Sequence, residues 1–329
     1  MALFQSITIH EIGEKAGVSI ATVSRALNGS GPVRDTTMQK IRDAMEALGY
    51  QMPAQKQQRT GVLLVSVPDM TNPFSSAVVR GISDAAEKRN YRTAFYVNDS
   101  YDFPASYSFL EEASFFDGLI LAHTLPDESV AARLAARRPT VLCTEPLPGC
   151  ALPYVAIDDF EAARSAANYL ISMGRKKIAC INSSLANQYA RRREQGFRAS
   201  MKQAGLPVRE EWVLHLPAVD FDVAYGSLAP LFEGTERPDA LFCVSDVYAA
   251  SAIRYAAAHG IRVPRELSVL GFDDIPLASM LTPAITTIRQ PAYQMGVQAC
   301  RLLIEQIEHP STLPSRMILN TDLIVRGST

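Results

Sequence analysis

Little in this 329-residue sequence points to a membrane, to secretion or to catalysis. No stretch approaches the roughly 20 consecutive apolar residues of a membrane span. Between Met1 and Tyr50 charges are interleaved throughout, with no continuous apolar run leading to a small-residue cleavage site, so no signal peptide is expected. Cysteine is scarce and odd in number: Cys143, Cys150, Cys180, Cys243 and Cys300 are widely spaced and mostly embedded in apolar segments. That pattern argues against a disulfide framework and suits a reduced, cytoplasmic protein. The five histidines stand apart without metal-ligand spacing, and there is no Gly-x-Gly-x-x-Gly, no P-loop and no nucleophile elbow. Hence no catalytic residue, metal site or cofactor is expected, and the chain reads as a non-enzyme.

Neither sign of charge dominates. The net charge is −2, but residues 1–60 hold seven Lys/Arg against five Asp/Glu while the remainder holds 25 against 29. An N-terminal excess of two positive charges only permits nucleic-acid binding, so that reading must rest on pattern. With 47% hydrophobic and 20% charged residues, the composition is ordinary for an α/β protein longer than one typical domain.

The pattern lies in the first fifty residues. Thr8 and Glu11 have the spacing of a capping box, and Ile9, Ile12 and Ala16 follow on one helical face up to Gly17. Ser19 is a good N-cap for a second helix from Ile20 to about Leu27, stopped by the turn-rich run Asn28-Gly-Ser-Gly-Pro32. A third helix is expected from Asp35 to Leu48, carrying Met38, Ile41, Met45 and Leu48 at helical spacing before Gly49. Two short helices so closely joined make a helix-turn-helix. On the second of them Ile20, Ala21, Ser24 and Arg25 fall within an arc of about 140°, while Val23, Ala26 and Leu27 face the other way. Ile20, Ala21 and Arg25 are the candidate readers of base edges, and Ser19, Thr22, Ser24 and Asn28 complete the candidate DNA-contacting set. Periodicity alone fits an ordinary three-helix bundle with an exposed arginine equally well.

The residues Ile9-His-Glu-Ile12 through Ala16-Gly-Val-Ser19, and Ala21-Thr-Val-Ser-Arg25-Ala-Leu-Asn28, resemble the headpiece signature of the lactose-repressor (LacI/GalR) family of bacterial regulators. The resemblance implies sequence-specific operator DNA as a partner, a homodimer and a small-molecule effector. There are departures. Gly13 stands where the family usually has alanine, which costs the first helix about 1 kcal/mol in propensity. Arg34 replaces a capping serine, so the third helix is expected to cap on Asp35. The family's hinge, an Ala-Arg and a leucine that wedges into the minor groove, is replaced by the leucine-free Gln51-Met-Pro-Ala-Gln-Lys-Gln-Gln-Arg-Thr60. That stretch reads as a flexible linker placing Lys56 and Arg59 near phosphates.

From Gly61 onward apolar runs alternate with helical patterns, the mark of βαβ units and parallel sheets. Strands are expected at 61–67, 92–97, 118–122, 140–143, 154–157, 178–182, 212–216, 240–244, 268–272 and 322–325. Helices are expected near 75–89, 193–204, 223–232, 247–259 and 293–308. Here the resemblance extends through Asn72-Pro-Phe74, Arg193-Glu-Gln-Gly196-Phe, Ser245-Asp246, Gly271-Phe-Asp-Asp274 and Thr286-Thr-Ile-Arg-Gln290-Pro. It implies a periplasmic-binding-protein-like sensor of two doubly wound parallel-sheet subdomains that exchange strands. The expected organisation is a headpiece at 1–50, a linker at 51–60 and an effector-binding and dimerisation domain at 61–329. Within the last, one subdomain spans about 61–159 and 291–321, the other about 160–290 and 322–329.

Ligands of open α/β sheets sit beyond the carboxyl ends of the strands. Those ends are Asp69 to Phe74, His123, the Ser183 to Arg193 loop, Ser245-Asp246 and Asp273-Asp274. The expected pocket combines Phe74, Phe221, Arg193, Asp246, Asp273 and Gln290, a mixture suited to a neutral, polyhydroxylated ligand with a flat face. The resemblance places effector contacts at Arg193 and Asp246 and aromatic ones at Phe74 and Phe221. The motif wording is most similar to the cytidine-regulator and purine-repressor branch, so a nucleoside is the first expectation and a sugar the second. Without the family, Arg191-Arg-Arg193 reads equally as a solvated helix start, Phe221 as core, and Asp246 and Asp273 as helix caps. A secreted solute-binding protein would share the sensor fold but not the helix-turn-helix.

Overall fold

Thr8 and Glu11 form the reciprocal cap that their spacing predicts: the Glu11 carboxylate accepts the Thr8 backbone N–H at 2.6 Å, and the Thr8 hydroxyl accepts the Glu11 N–H at 3.4 Å. They open α1 (Ile9–Ala16), which is followed by α2 (Ile20–Asn28) and α3 (Asp35–Leu48). The computed structural model describes residues 8–28, 33–48, 59–68, 70–97, 103–147, 149–311 and 313–329, so linker residues 51–58 and Asp69 lie outside the described residues. The chain divides into two compact units, Met1–Arg59 and Thr60–Thr329.

In the first unit, buried Ile12, Ala16, Val23, Ile41, Ala44 and Met45 form a small core from all three helices. Ile9, read with that face, is 40% exposed. Gly13 sits where space for a side chain is tight. A Cβ there would lie 3.0 Å from the Val18 carbonyl oxygen and 3.6 Å from a Val23 methyl, where the turn folds back on α1. Arg34, not Asp35, caps α3: its carbonyl accepts the Thr37 and Met38 N–H groups, both at 2.9 Å. Asp35 is the first helical residue, where its charge complements the positive end of the helix dipole.

The second unit holds two six-stranded sheets. The first lobe orders its strands β11-β5-β4-β3-β1-β2, with β1 Val62–Val67, β2 Arg92–Val97, β3 Gly118–Leu121, β4 Thr140–Thr144, β5 Tyr154–Ile157 and β11 Arg316–Leu319. In the second lobe the order is β12-β10-β9-β8-β6-β7, from β6 Ile178–Ser183, β7 Val213–Leu216, β8 Ala240–Cys243, β9 Ser268–Asp273, β10 Thr286–Arg289 and β12 Asp322–Ile324. Every described pairing is parallel except the antiparallel pair of β10 and β12. Helices α4 (Pro73–Glu87), α5 (Phe103–Glu112), α6 (Glu128–Arg137) and α13 (Ala292–Glu308) serve the first lobe. In the second lobe the helices are α7 (Asp159–Ser172), α8 (Gln188–Gln203), α9 (Phe221–Ser227), α10 (Ala229–Glu233), α11 (Asp246–Ala258) and α12 (Pro276–Met280). The chain crosses between lobes three times, after β5, β10 and β11.

Strand β11 escapes the sequence reading because it is short and half-exposed, with no buried face to impose a period. Helix α8 starts at Gln188, five residues before the expected Arg193, because its polar first turn carries little hydrophobic signal. Helices α4 and α13 approach backbone to backbone. A Cβ on Gly81 would sit 2.0 Å from the Tyr293 carbonyl oxygen, and one on Gly296 would sit 2.1 Å from that of Val78. Only glycine at both positions permits this contact.

Candidate functional site

The first candidate is the exposed face of α2. Ile20 is 45% exposed, Ala21 and Arg25 are exposed, Thr22 and Ser24 are half-buried, and Val23 opposite them is fully buried. This is the division between packing face and free face that the periodicity implied. Ser19 caps the helix, its hydroxyl accepting the Thr22 N–H at 3.2 Å and lying 2.8 Å from the Thr22 hydroxyl. Arg25 lies along the helix, its Nε donating to the Ala21 carbonyl at 3.3 Å. The Asn28 side chain lies outside the described residues.

The second is a cavity of about 770 Å³ between the lobes. Its wall follows the carboxyl ends of the strands: Pro68 after β1, His123 and Thr124 after β3, Glu145 after β4, Asp159 after β5, Ser183 to Arg193 after β6, Pro217 after β7, Ser245 after β8, Asp273 ending β9 and Gln290 after β10. A smaller cavity of about 160 Å³ adjoins it and shares Glu145, Asp159, Gln188, Tyr189 and Arg192.

Arg193 is 5% exposed and wedged in place. Its Nε donates to Asp159 at 2.8 Å, and its Nη1 donates to the Val244 carbonyl at 2.8 Å and lies 3.8 Å from Asp273. The guanidinium carbon stands 3.6 Å from the Phe272 ring centre and 4.9 Å from that of Tyr189. It is therefore no solvated helix start. It ties α8 to the first residue of α7 and to the end of β9, and Gln290 in turn donates to Asp273 at 2.6 Å. Burial raises the Asp159 and Asp273 carboxyls, with Arg193 pulling each the other way, and Asp273 is pushed up to about 6.

Phe74 lines the cavity from the start of α4, where Asn72 accepts its N–H at 3.0 Å. His123 is buried, which lowers its proton affinity. Because Nδ1 meets the Thr124 carbonyl at 3.1 Å, that nitrogen carries the proton and Nε2 accepts the Ser66 hydroxyl at 2.9 Å.

Phe74, Arg193, Asp273 and Gln290 thus converge, but Phe221 and Asp246 are not in the cavity wall. Phe221 opens α9, two residues beyond the lining residue Val219, and is 37% exposed. Asp246 is wholly buried in the first turn of α11. Its Oδ2 accepts the Ile275 N–H at 2.9 Å, and burial raises its carboxyl well above the usual range while the Thr287 side chain pulls it the other way. It joins α11 to the segment after β9 instead of facing the cleft. Glu145 and Asp159 line the cavity and escape the sequence reading, whereas Tyr189 lies within the expected Ser183 to Arg193 loop. Both follow strand ends, Glu145 directly after β4 and Asp159 two residues after β5, so the strand-end rule that points to His123 and the Ser183 to Arg193 loop also points to them.

A folded pKa of about 6 for Asp273, against an ordinary aspartate value of about 3.9, has a definite sign. Between those values the native state holds the extra proton, so this group's contribution to stability falls as pH rises through that window and stays low above it. Asp273→Asn keeps the acceptor for Gln290 and removes the titration. The melting temperature of the variant relative to the parent is expected to be higher at pH 7.5 than at pH 4.5, by an amount equivalent to at most about 3 kcal/mol. An offset identical at both pH values in thermal unfolding would show an Asp273 that is ionised throughout.

Among the described residues no helix is long and apolar enough to cross a membrane, and no cluster of His, Cys, Asp or Glu is arranged to hold a metal ion. Residues 8–52 match the family described as bacterial regulatory proteins, lacI family, and residues 167–329 match the periplasmic binding protein-like domain. The chain is 32% identical over 338 residues to the HTH-type transcriptional repressor CytR of Escherichia coli strain K12, covering 98% of this chain and 96% of that one. It is similar in structure to the complex of the transcriptional regulator CelR with cellobiose, at TM-score 0.74 and 28% identity over 98% of this chain and all of the other. It is also similar to a ribose-bound LacI family transcriptional regulator from Enterococcus faecium, at TM-score 0.71 and 25% identity over 82% of this chain and 98% of the other.

Proposed function

Since this chain belongs to the lacI family of bacterial regulatory proteins, we propose that it is a homodimeric cytoplasmic repressor whose affinity for operator DNA is set by a nucleoside or a related polar effector. It is a DNA-binding transcriptional regulator with a ligand-binding domain, not an enzyme. In this reading α2 enters the major groove with Ile20, Ala21 and Arg25 toward base edges, while Ser19, Thr22 and Ser24 meet phosphates. The headpiece acts through the linker at 51–60 on behalf of the effector-binding domain.

The observation that carries the effector site is the cavity of about 770 Å³ at the strand ends, within the range of small-molecule pockets and braced by Arg193 between Asp159 and Asp273. Phe74 supplies an aromatic surface for a flat ring, and Gln290 and the carboxylates supply partners for hydroxyls. A sugar is the second reading, favoured by the cellobiose and ribose bound to the two similar regulators. Support for a second copy comes from edge strand β2, where Phe95 and Val97 are 40% and 47% exposed, and from Met280, which is 75% exposed. Large exposed apolar side chains mark association surfaces.

A thermal-shift screen of nucleosides, bases and sugars, coupled to operator titrations with each ligand, tests the reading. A nucleoside at 100 times its Kd is expected to stabilise the native chain by about 2.7 kcal/mol and to change operator affinity. A response to sugars alone selects the second reading, and no response to any class overturns both.

A further inference from the structure

We propose that Glu145 is the specificity-determining residue of the cavity, offering one carboxylate oxygen as an acceptor to an N–H donor of the effector while the other is occupied by the opposite lobe. The proposal rests on the cavity being the effector site. Strand β4 ends at Thr144, whose φ of 79° is a left-handed conformation that a β-branched residue adopts only under constraint. That turn delivers Glu145 into the cleft. There its Oε2 receives three donors: the Thr124 hydroxyl, the Gln188 N–H at 3.0 Å and the Tyr189 N–H at 3.4 Å. Gln188 and Tyr189 open α8, so first-turn amides that have no partner within their own helix are taken by a carboxylate from the first lobe. None of these donors reaches Oε1, on a residue that lines the cavity.

The surroundings decide what Oε1 would recognise. Glu145, Asp159 and Asp273 all face the cavity, whereas the Nε and Nη1 of Arg193 are already committed. Arg191 is held by the carbonyls of Leu185 and Ala186, and Arg192 lies 3.7 Å from Asp158. An ionised carboxylate accepts hydrogen bonds and cannot donate them. The complement to these three carboxylates is a group rich in N–H, such as the exocyclic amine of a heterocycle. Burial raises the Glu145 carboxyl, the Thr124 hydroxyl lowers it, and Asp159 raises it again.

Glu145→Gln tests this because its geometry is constrained. Three donors point at the Oε2 position, so the amide oxygen must take that place, and the NH₂ falls where Oε1 stood. On a residue that lines the cavity, an acceptor becomes a donor at constant shape. Binding of the matched pairs cytidine with uridine and adenosine with inosine would be measured by calorimetry on the full chain. In the parent the amino member of a pair is expected to bind at least tenfold more tightly. In Glu145→Gln that preference inverts, and in Glu145→Ala it disappears, with the melting temperature of Glu145→Gln within a few degrees of the parent. A parent that binds nucleosides without favouring the amino member, or a Glu145→Gln variant that keeps the parental order, overturns the assignment of Glu145 alone. A parent that binds none of the four nucleosides overturns the nucleoside reading together with this assignment.

Discussion

Replacing Arg193 with alanine is expected to abolish the effector response and to destabilise the larger unit by about 3–5 kcal/mol, the range for breaking a buried ion pair on one side. The magnitude follows from what is left behind. Asp159 and Asp273 are each under a tenth exposed, and both rely on this guanidinium for compensation. The Val244 carbonyl loses its donor, and the Phe272 ring loses the cation stacked 3.6 Å away. A solvated arginine at a helix start would cost no more than about 0.5 kcal/mol, so the midpoint of chemical denaturation separates the two roles cleanly. Arg193→Lys keeps the charge without the planar fork that reaches Asp159 and Val244 together, and should fall between parent and alanine variant. Ligand-induced thermal shifts on Arg193→Lys report the site itself: if nucleoside affinity were unchanged, the placement of the effector would be wrong.

Arg25→Ala is expected to weaken operator binding by about 1–3 kcal/mol per half-site, and so by roughly 2–6 kcal/mol for a dimer, if its guanidinium reads a guanine edge. Arg25 is exposed, and its Nε donates to the Ala21 carbonyl of its own helix, so the headpiece should fold unchanged. Titration against operators varied one base at a time supplies the check. Loss of discrimination at a single base position identifies a base reader. A uniform loss across all variants, with a salt dependence reduced by about one counterion, would make Arg25 a phosphate contact instead.

How much of this was legible beforehand varies by element. The capping box at Thr8, the packing stripe through Val23 and the limits of α3 were readable because each signal lies within a few residues of the structure it specifies. The alternating architecture was readable for the same reason, since buried parallel strands leave unbroken apolar runs. Strand β11 was not, because its half-exposed residues carry neither period. The Gly13 substitution appeared in sequence only as a propensity cost. The tight space there, with the Val18 carbonyl 3.0 Å from any Cβ, is a property of the turn once folded.

The cavity shows the division most clearly. Phe74, Arg193, Asp273 and Gln290, gathered from the strand ends, all line the cavity. Which other strand-end residues face it was settled by partners distant in the chain. Asp246 is drawn away by the Ile275 N–H, 29 residues on, and Glu145 is drawn in by the amides of Gln188 and Tyr189, 43 and 44 residues on. By itself the sequence determined the local elements, the alternating order that demands two parallel sheets, and the helix that presents Ile20, Ala21 and Arg25, because capping and hydrophobic period act over a few residues. Only the tertiary structure decided which buried carboxylates serve the cavity and which serve the fold. That choice depends on where unsatisfied backbone donors of another element come to rest, and no local pattern encodes it.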